Sequence, residues 1–449
     1  MNSARVADTI VALATAPGRG ALAIVRISGN GAHAIAEKLI DPWPLAPRQA
    51  SLVKIRDSEG SVLDEGIVTV YVAPASFTGE DAVEVTCHGG PVASALIVSA
   101  FVSQGARPAE PGEFTRRAVL NGKLDLLQAE AVGDLVDATS RAAQRVALTQ
   151  LDGGLSRRIE QLRERILGLE ALAAYDIDFP EEDDGPISPA RIVADTTRVR
   201  ADLQSLIATA PTGELVREGA VVVIAGPPNA GKSSLFNALL RRKRAIVTEI
   251  PGTTRDALEA VTEADGWPIR LVDTAGLRES DETIERIGIE LSREWVSKAH
   301  VVLACADTIA ALHKTKNAIA PLTAASVVSV RTKADLHHDA PPDGAIAVSA
   351  ETGAGLRELA SAIGSQLRAS QGTLELDAPM VTRERHRFAL EQAHRELGHF
   401  LEVFLDRATP AVIAAVHLRE ATRHLEELIG TVDVEDVLDR VFRSFCVGK

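Results

Sequence analysis

Residues 220–233 read AVVVIAGPPNAGKS, and this stretch decides the fold. Ala220 to Ala225 is an unbroken apolar run, as a central parallel strand covered on both faces requires. It leads directly into Gly226-Pro227-Pro228-Asn229-Ala230-Gly231-Lys232-Ser233, a Walker A pattern. The residue types follow from the task of holding a phosphate chain. Glycines let backbone N–H groups turn inward, Lys232 reaches the β and γ oxygens, and Ser233 offers a hydroxyl to magnesium at the start of a helix over Leu235 to Leu240.

Working outward, Ile269 to Val272 reads as a second strand delivering Asp273-Thr274-Ala275-Gly276. An aspartate there holds magnesium through water, and the Gly276 N–H senses the γ-phosphate. Between the two motifs lies Gly252-Thr253-Thr254-Arg255-Asp256, a switch loop whose Thr254 is a second hydroxyl for the metal. Thr332-Lys333-Ala334-Asp335 follows a strand at Val327 to Val330. The Asp335 carboxylate can accept two hydrogen bonds from the Watson–Crick edge of guanine, which adenine cannot match. Ser349-Ala350-Glu351, after a strand at Ile346 to Val348, supplies the last loop of the site. The set resembles a Ras-like GTPase domain over residues 215–371, with Thr332 where asparagine is usual. Leu277 stands where a glutamine would orient the attacking water, and no arginine finger is evident. Asn229, with its amide oxygen, and Glu285, in the region of a second switch, are the groups left to assist hydrolysis. Spacing alone favours reading Glu285 as an exposed helical glutamate.

The chain has 449 residues, about three domains at ~150 residues each. With 46% hydrophobic and 24% charged residues it forms buried cores and is neither disordered nor fibrous. Lys and Arg total 48 against 62 Asp and Glu, a net charge of −14, which argues against a general electrostatic grip on nucleic acid or anionic membrane. Three cysteines, Cys87, Cys305 and Cys446, are too far apart for a disulfide framework or a zinc site. No apolar run reaches ~18 residues and Met1 to Thr15 lacks a leader pattern, so a cytoplasmic protein with no membrane span is expected.

Flanking the α/β block, the texture changes. Ala21–Ile27, Leu52–Ile55, Ile67–Val72 and Ala82–Cys87 are β-branched runs separated by turns, a strand-rich α+β domain. Helical spacing takes over at Leu124, Leu127, Ala131, Leu135, Ala138 and Ala142 and resumes at Leu155, Ile159, Leu162, Ile166 and Leu169. It returns at Leu390, Ala393, Leu397 and Phe400, breaks at Pro410, and continues at Leu418, Ala421, Leu425 and Leu428. Helices on both sides of the block predict its insertion into one discontinuous helical domain. Asp176 to Asp184 holds six acids within nine residues and reads as a solvated loop. The boundaries expected are 1–120 for the strand-rich domain, 121–213 and 376–449 for the helical domain, and 214–375 for the doubly wound GTPase domain.

At the end of the chain, Cys446-Val447-Gly448-Lys449 matches a prenylation signal poorly. Phe442 and Phe445 are apolar anchors for a docked tail, on which Cys446 can serve as nucleophile or thiol ligand. The glycine clusters of the first domain read as turns, and His88 as a local hydrogen-bonding residue.

Taken together, PGRGALAIVRISG at 17–29, SFTGEDAVEVTCHGG at 76–90, PGEFTRRAVLNGKLDLLQAEA at 111–131, the inserted GPPNAGKS, PGTTRD and DTAGLR, and the terminal CVGK resemble the MnmE (TrmE) family of tRNA modification GTPases along essentially the whole chain. The resemblance implies an amino-terminal folate-binding domain in which Arg26, Glu84, Lys123 and Lys449 hold a 5-formyl- or 5,10-methylene-tetrahydrofolate. It implies a potassium-dependent GTPase activated by dimerisation, with Asn229, Thr248, Ile250 and Thr253 around K⁺, Ser233 and Thr254 on Mg²⁺, and Glu285 as the catalytic glutamate of hydrolysis, while Cys446 is the catalytic candidate for the separate one-carbon step. The GTP site would comprise Asn229, Ala230, Gly231, Lys232, Ser233, Ser234, Thr248, Glu249, Ile250, Pro251, Gly252, Thr253, Thr254, Asp273, Thr274, Ala275, Gly276, Thr332, Lys333, Ala334, Asp335, Ser349, Ala350 and Glu351. A homodimer joined by an FAD-binding partner of the MnmG type, in a heterotetramer, would place a (carboxymethyl)aminomethyl group on C5 of the wobble uridine of certain tRNAs. Departures from the family are Thr332, Glu351 and Val119. A regulatory GTPase of ribosome assembly, without covalent chemistry of its own, shares the nucleotide motifs and differs at the two ends of the chain.

Overall fold

The computed structural model describes residues 8–178, 189–241, 259–273, 294–337, 341–342, 344–372, 374–406, 411–430 and 445–448. They fall into two compact units, one from residues 1–133 with 426–449 and the other from residues 134–425. Among the described residues no helix is long and apolar enough to cross a membrane.

The first unit is a seven-stranded sheet in the order β3-β4-β5-β6-β2-β1-β7. Its strands are β1 (Ile10–Leu13), β2 (Leu22–Ser28), β3 (Ile40–Asp41), β4 (Ser51–Arg56), β5 (Val62–Tyr71), β6 (Ala82–His88) and β7 (Arg107–Pro108). Neighbours are antiparallel except β1 and β7. Alternation along β2 and β6 sends Val25, Ile27, Val83 and Val85 into a core with Ile97 and Phe101 of helix α2 (Pro91–Ser103). The intervening Arg26 and Glu84 therefore share the opposite face, and the register sets them directly across from each other. Strands β1 and β7 escape sequence reading because they are too short for a period to show, and pairing alone makes them strands.

Helix α3 (Glu113–Leu120) carries Arg117, 3% exposed, into a cluster of carboxylates. Arg117 lies 2.6 Å from Asp8, 3.0 Å from Glu113 and 3.3 Å from Glu80, and Arg107 bridges Asp8 and Glu113 from β7. Burial opposes ionisation of Asp8 and Glu113, but hydrogen bonds from Arg107 and Arg117 outweigh it and hold both carboxyls below the ordinary range.

The second unit contains a six-stranded sheet in the order β13-β12-β11-β8-β10-β9. It comprises β8 (Ala220–Ala225), β9 (Glu259–Ala264), β10 (Trp267–Asp273), β11 (Val301–Ala306), β12 (Ser326–Arg331) and β13 (Ala345–Ala347). All neighbours are parallel except β9, which returns antiparallel beside β10. That hairpin turns on Asp265 and Gly266, with φ of 50° and 89°, the left-handed pair of a two-residue turn. The purely parallel sheet of the sequence reading thus gains an antiparallel edge strand, whose half-polar sequence gave no strand signal. Val222 and Ile224 pack under α9 (Lys232–Arg241) and α11 (Leu356–Gln371), while Val221 and Val223 face the side of α10 (Ile309–Ile319).

Helix α4 (Leu126–Asp137) ends before Ser140, whose hydroxyl accepts from Ala143 N and caps α5 (Arg141–Leu151), breaking the apolar stripe in two. Helix α6 (Gly154–Asp178) takes in the first three residues of the acidic stretch read as a loop, whose residues 179–184 lie outside the described residues. Helices α6, α7 (Pro189–Ile207) and α12 (Glu384–Leu405) bury Ile159, Leu162, Val199, Leu203, Leu390 and Leu397. Helix α13 (Ala411–Ile429) resumes the stripe with Leu418, Ala421 and Leu425 buried.

The chain segments leading into and out of the α/β block touch. Thr212 Oγ1 donates to Gln371 O at 3.0 Å, and Val381 N donates to Thr209 Oγ1 at 3.0 Å. Gly213, in α8 (Ala210–Glu218), lies so close to Val381 that a Cβ would sit 2.0 Å from its carbonyl oxygen. Asp134 joins the same place, 2.9 Å from Arg217 and 2.7 Å from Arg383.

Because folded Asp8 and Glu113 have depressed pKa values, their stabilisation is complete above the unfolded carboxyl range near ~4 and is lost as pH falls through the folded values. Urea denaturation between pH 7 and pH 3 should show this loss, and Glu113→Gln should flatten it. Arg117→Met should cost about 3–5 kcal/mol at neutral pH by leaving buried carboxylates unpaired.

Candidate functional site

Strand β8 ends where β10 ends, with Ile224 paired to Asp273. The turn out of β8 passes so close to β11 that a Cβ on Gly226 would lie 2.1 Å from Cys305 O. Asn229 and Gly231 then take φ of 61° and 77°, bending the loop back over the start of α9. This presents the positive end of the helix dipole to a bound anion. Lys232 Nζ donates to Pro227 O at 2.8 Å and lies along the loop. Ser233 Oγ donates to Asp273 Oδ2 at 2.7 Å, joining the two motifs that the sequence reading assigned to magnesium. A hydroxyl and a carboxylate at this separation, both hard oxygen donors, fit that ion. Cys305 lies beneath them, fully buried, and burial pushes its thiol up to about 12, so it stays an inert core residue.

Gly231, Ser234, Thr332, Lys333, Asp335, Ala350 and Glu351 line one cavity of 310 Å³. Ala334 N donates to Val348 O at 3.1 Å, drawing together the base-reading loop and the loop of Ser349 to Glu351. A hydrogen bond from the Ser349 hydroxyl lowers the pKa of the exposed Asp335 carboxyl and keeps it an acceptor. Thr332, buried, donates its hydroxyl to Ala230 O at 2.6 Å. Lys333 pairs with Asp307 at 3.3 Å, a partner that the sequence motifs do not identify. Thr248, Glu249, Ile250, Pro251, Gly252, Thr253, Thr254, Thr274, Ala275, Gly276 and Glu285 lie outside the described residues.

In the first unit Arg26 and Glu84 form an ion pair at 2.7 Å. The Arg26 guanidinium stacks 5.5 Å from the Phe77 ring and 5.6 Å from that of Phe114, and Tyr71 donates to Glu84 at 3.3 Å. Burial and the Glu84 carboxylate raise the Tyr71 pKa, keeping it a donor. Lys123 Nζ reaches Pro74 O at 3.2 Å, and its stem packs on Gly79, so loop 73–81 lies between Lys123 and Arg26. The rings of Phe77, Phe114 and Tyr71 went unassigned in the sequence; they reach the pair from the loop before β6, from α3 and from β5, a convergence that spacing does not reveal. His88 is the local partner expected, bonded to Asp64 at 2.7 Å through Nδ1.

The tail is docked through its described residues 445–448. The Phe445 ring lies against Gly133, where a Cβ would meet it at 3.2 Å, and Cys446 O accepts from Gly112 N at 3.3 Å. Gly448, at φ 97°, sits so close to β1 that a Cβ would lie 2.3 Å from Leu13 O. Gly112 caps α3, and two residues on Phe114 stacks on Arg26, so one helix start holds both the tail and the ion pair. Cys446 is exposed; Lys449 lies outside the described residues.

Comparison with known proteins bears on the whole chain. Residues 9–123 match the family model described as GTP-binding protein TrmE N-terminus, and residues 126–446 match that of the MnmE helical domain. The chain is 41% identical to the tRNA modification GTPase MnmE of Aquifex aeolicus over 98% of its own length and 100% of that protein. The proteins of the same name from Akkermansia muciniphila and Neisseria meningitidis serogroup B are each 42% identical over 98% of this chain and 99% of theirs. The crystallised G domain of the T. maritima FeoB iron transporter is 27% identical over 33% of this chain and 98% of that one, with a TM-score of 0.23, too low for a structural equivalence. By its two matched domains and its similarity end to end, the chain belongs to the MnmE family of tRNA modification GTPases.

Proposed function

We propose that this chain is a potassium-dependent GTPase, activated by pairing of two copies, that acts with an FAD-binding partner of the MnmG type in tRNA modification. Together they attach an aminomethyl or carboxymethylaminomethyl group to C5 of the wobble uridine of certain tRNAs in the cytoplasm. The observation that carries the reading is the Ser233–Asp273 contact of 2.7 Å at the phosphate loop of a chain 41% identical, over 98% of its length, to a protein named tRNA modification GTPase.

In this reading Lys232 and the loop amides bind the β- and γ-phosphates, and Ser233 with Thr254 holds Mg²⁺ while Asp273 reaches it through water. Asn229, Thr248, Ile250 and Thr253 surround K⁺, which when bound supplies the positive charge that an arginine finger gives other GTPases. Glu285 orients the attacking water. Arg26, Glu84, Lys123 and Lys449 bind a reduced folate, whose one-carbon unit feeds the modification. The Glu84 carboxylate suits N–H groups of a pterin edge, and the cations suit the acidic tail. Cys446 takes part in the one-carbon step, and nucleotide turnover gates it by moving the paired domains of residues 214–375. Residues 1–120 form the folate domain, and 121–213 with 376–449 the helical scaffold.

GTP hydrolysis should be faster in KCl than in NaCl by about tenfold or more, a barrier change of ~1.4 kcal/mol. Equal rates would refute the potassium assignment. Glu84→Gln should weaken binding of 5-formyl-tetrahydrofolate by about tenfold to a hundredfold in equilibrium titration. Mass analysis of wobble nucleosides in cells carrying only Cys446→Ser should show the modification lost; full retention removes the role of that thiol.

A further inference from the structure

The Thr332 side chain has one donor proton, and the structure shows where it goes. Its hydroxyl lies 2.6 Å from Ala230 O, and a carbonyl oxygen only accepts, so the O–H points at the phosphate loop. The Thr332 backbone N–H is also taken, by Ala306 O at 2.9 Å. The residue is 3% exposed and lines the cavity that Asp335 edges. A hydroxyl so engaged keeps only lone pairs, and N7 of a purine is an acceptor with no proton to give. Two acceptors do not bond.

We infer that this chain reads guanine without a hydrogen bond from Thr332 to N7, with Thr332 serving as a positioning residue that fastens the base loop to the phosphate loop. The inference rests on the guanine-nucleotide reading above and deepens it. Discrimination then falls on Asp335, whose carboxylate Ser349 keeps ionised and whose two oxygens match the N1–H and exocyclic amine of guanine. The ligands admitted are guanine nucleotides whether or not position 7 carries a nitrogen. An asparagine at 332 would differ in kind, since its amide has two N–H donors, one for Ala230 O and one for N7.

The test is equilibrium binding of GDP, 7-deaza-GDP and ADP to the full-length protein with Mg²⁺ and K⁺. GDP and 7-deaza-GDP should bind within about twofold of each other, since no neutral hydrogen bond is lost. GDP bound tenfold or more tightly than 7-deaza-GDP, with ADP weaker still, would overturn the inference and leave the guanine reading standing. Failure to prefer either guanine nucleotide over ADP would overturn both. Thr332→Asn should raise the ratio of GDP to 7-deaza-GDP affinity by about threefold to tenfold. Thr332→Val, which removes the tether, should weaken both while leaving their ratio near one. An unchanged ratio in a folded Thr332→Asn protein counts against the inference, and if that variant does not fold the wild-type ratio decides alone.

Discussion

The hydrogen bond from Ser233 to Asp273 depends on two strands ending level with each other. Strands β8 and β10 run parallel and in register, so the loop after one and the carboxylate at the tip of the other meet at a single point. That alignment rests in turn on a backbone approach that only glycine permits, Gly226 against the Cys305 carbonyl. A side chain there would push the phosphate loop away from β11 and separate the groups suited to the metal. The chemistry of the site is therefore fixed by strand packing before any polar side chain acts.

A different economy governs the first unit. Its sheet turns one face to the apolar core under α2 and the other to a polar assembly built around two arginines. Arg117 is buried among carboxylates and secures α3, while Arg26 stays partly open, clasped by Glu84 and two aromatic rings. The Arg117 side chain is 3% exposed among three carboxylates, whereas that of Arg26 keeps 23% of its surface open. The start of α3 ties the two together, and the tail docks on that same turn.

Much of this was legible in the sequence because the signals were local. A Walker loop, a buried apolar strand and helical stripes each announce themselves within a dozen or so residues. Strands β2, β4, β6, β8, β10 and β12 accordingly fall within a residue or two of expectation. What stayed hidden depends on partners distant in the chain. The strand character of Ile10–Leu13 comes from pairing with β2, and β9 from its hairpin with β10. Phe77 and Phe114 gain meaning only once a loop and a helix bring both rings to Arg26, and the hydroxyl of Thr332 only once it meets Ala230, 102 residues earlier. At the acidic run the expected loop begins later than its charge suggests, since charge alone does not end a helix and α6 continues to Asp178.

Thr212 with Gln371, Thr209 with Val381, and Gly213 beneath the Val381 carbonyl clasp the base of the α/β block where the chain comes and goes. Asp134 and its two arginines grip either side of that stem, so a single carboxylate binds both the chain's approach to the block and its departure from it.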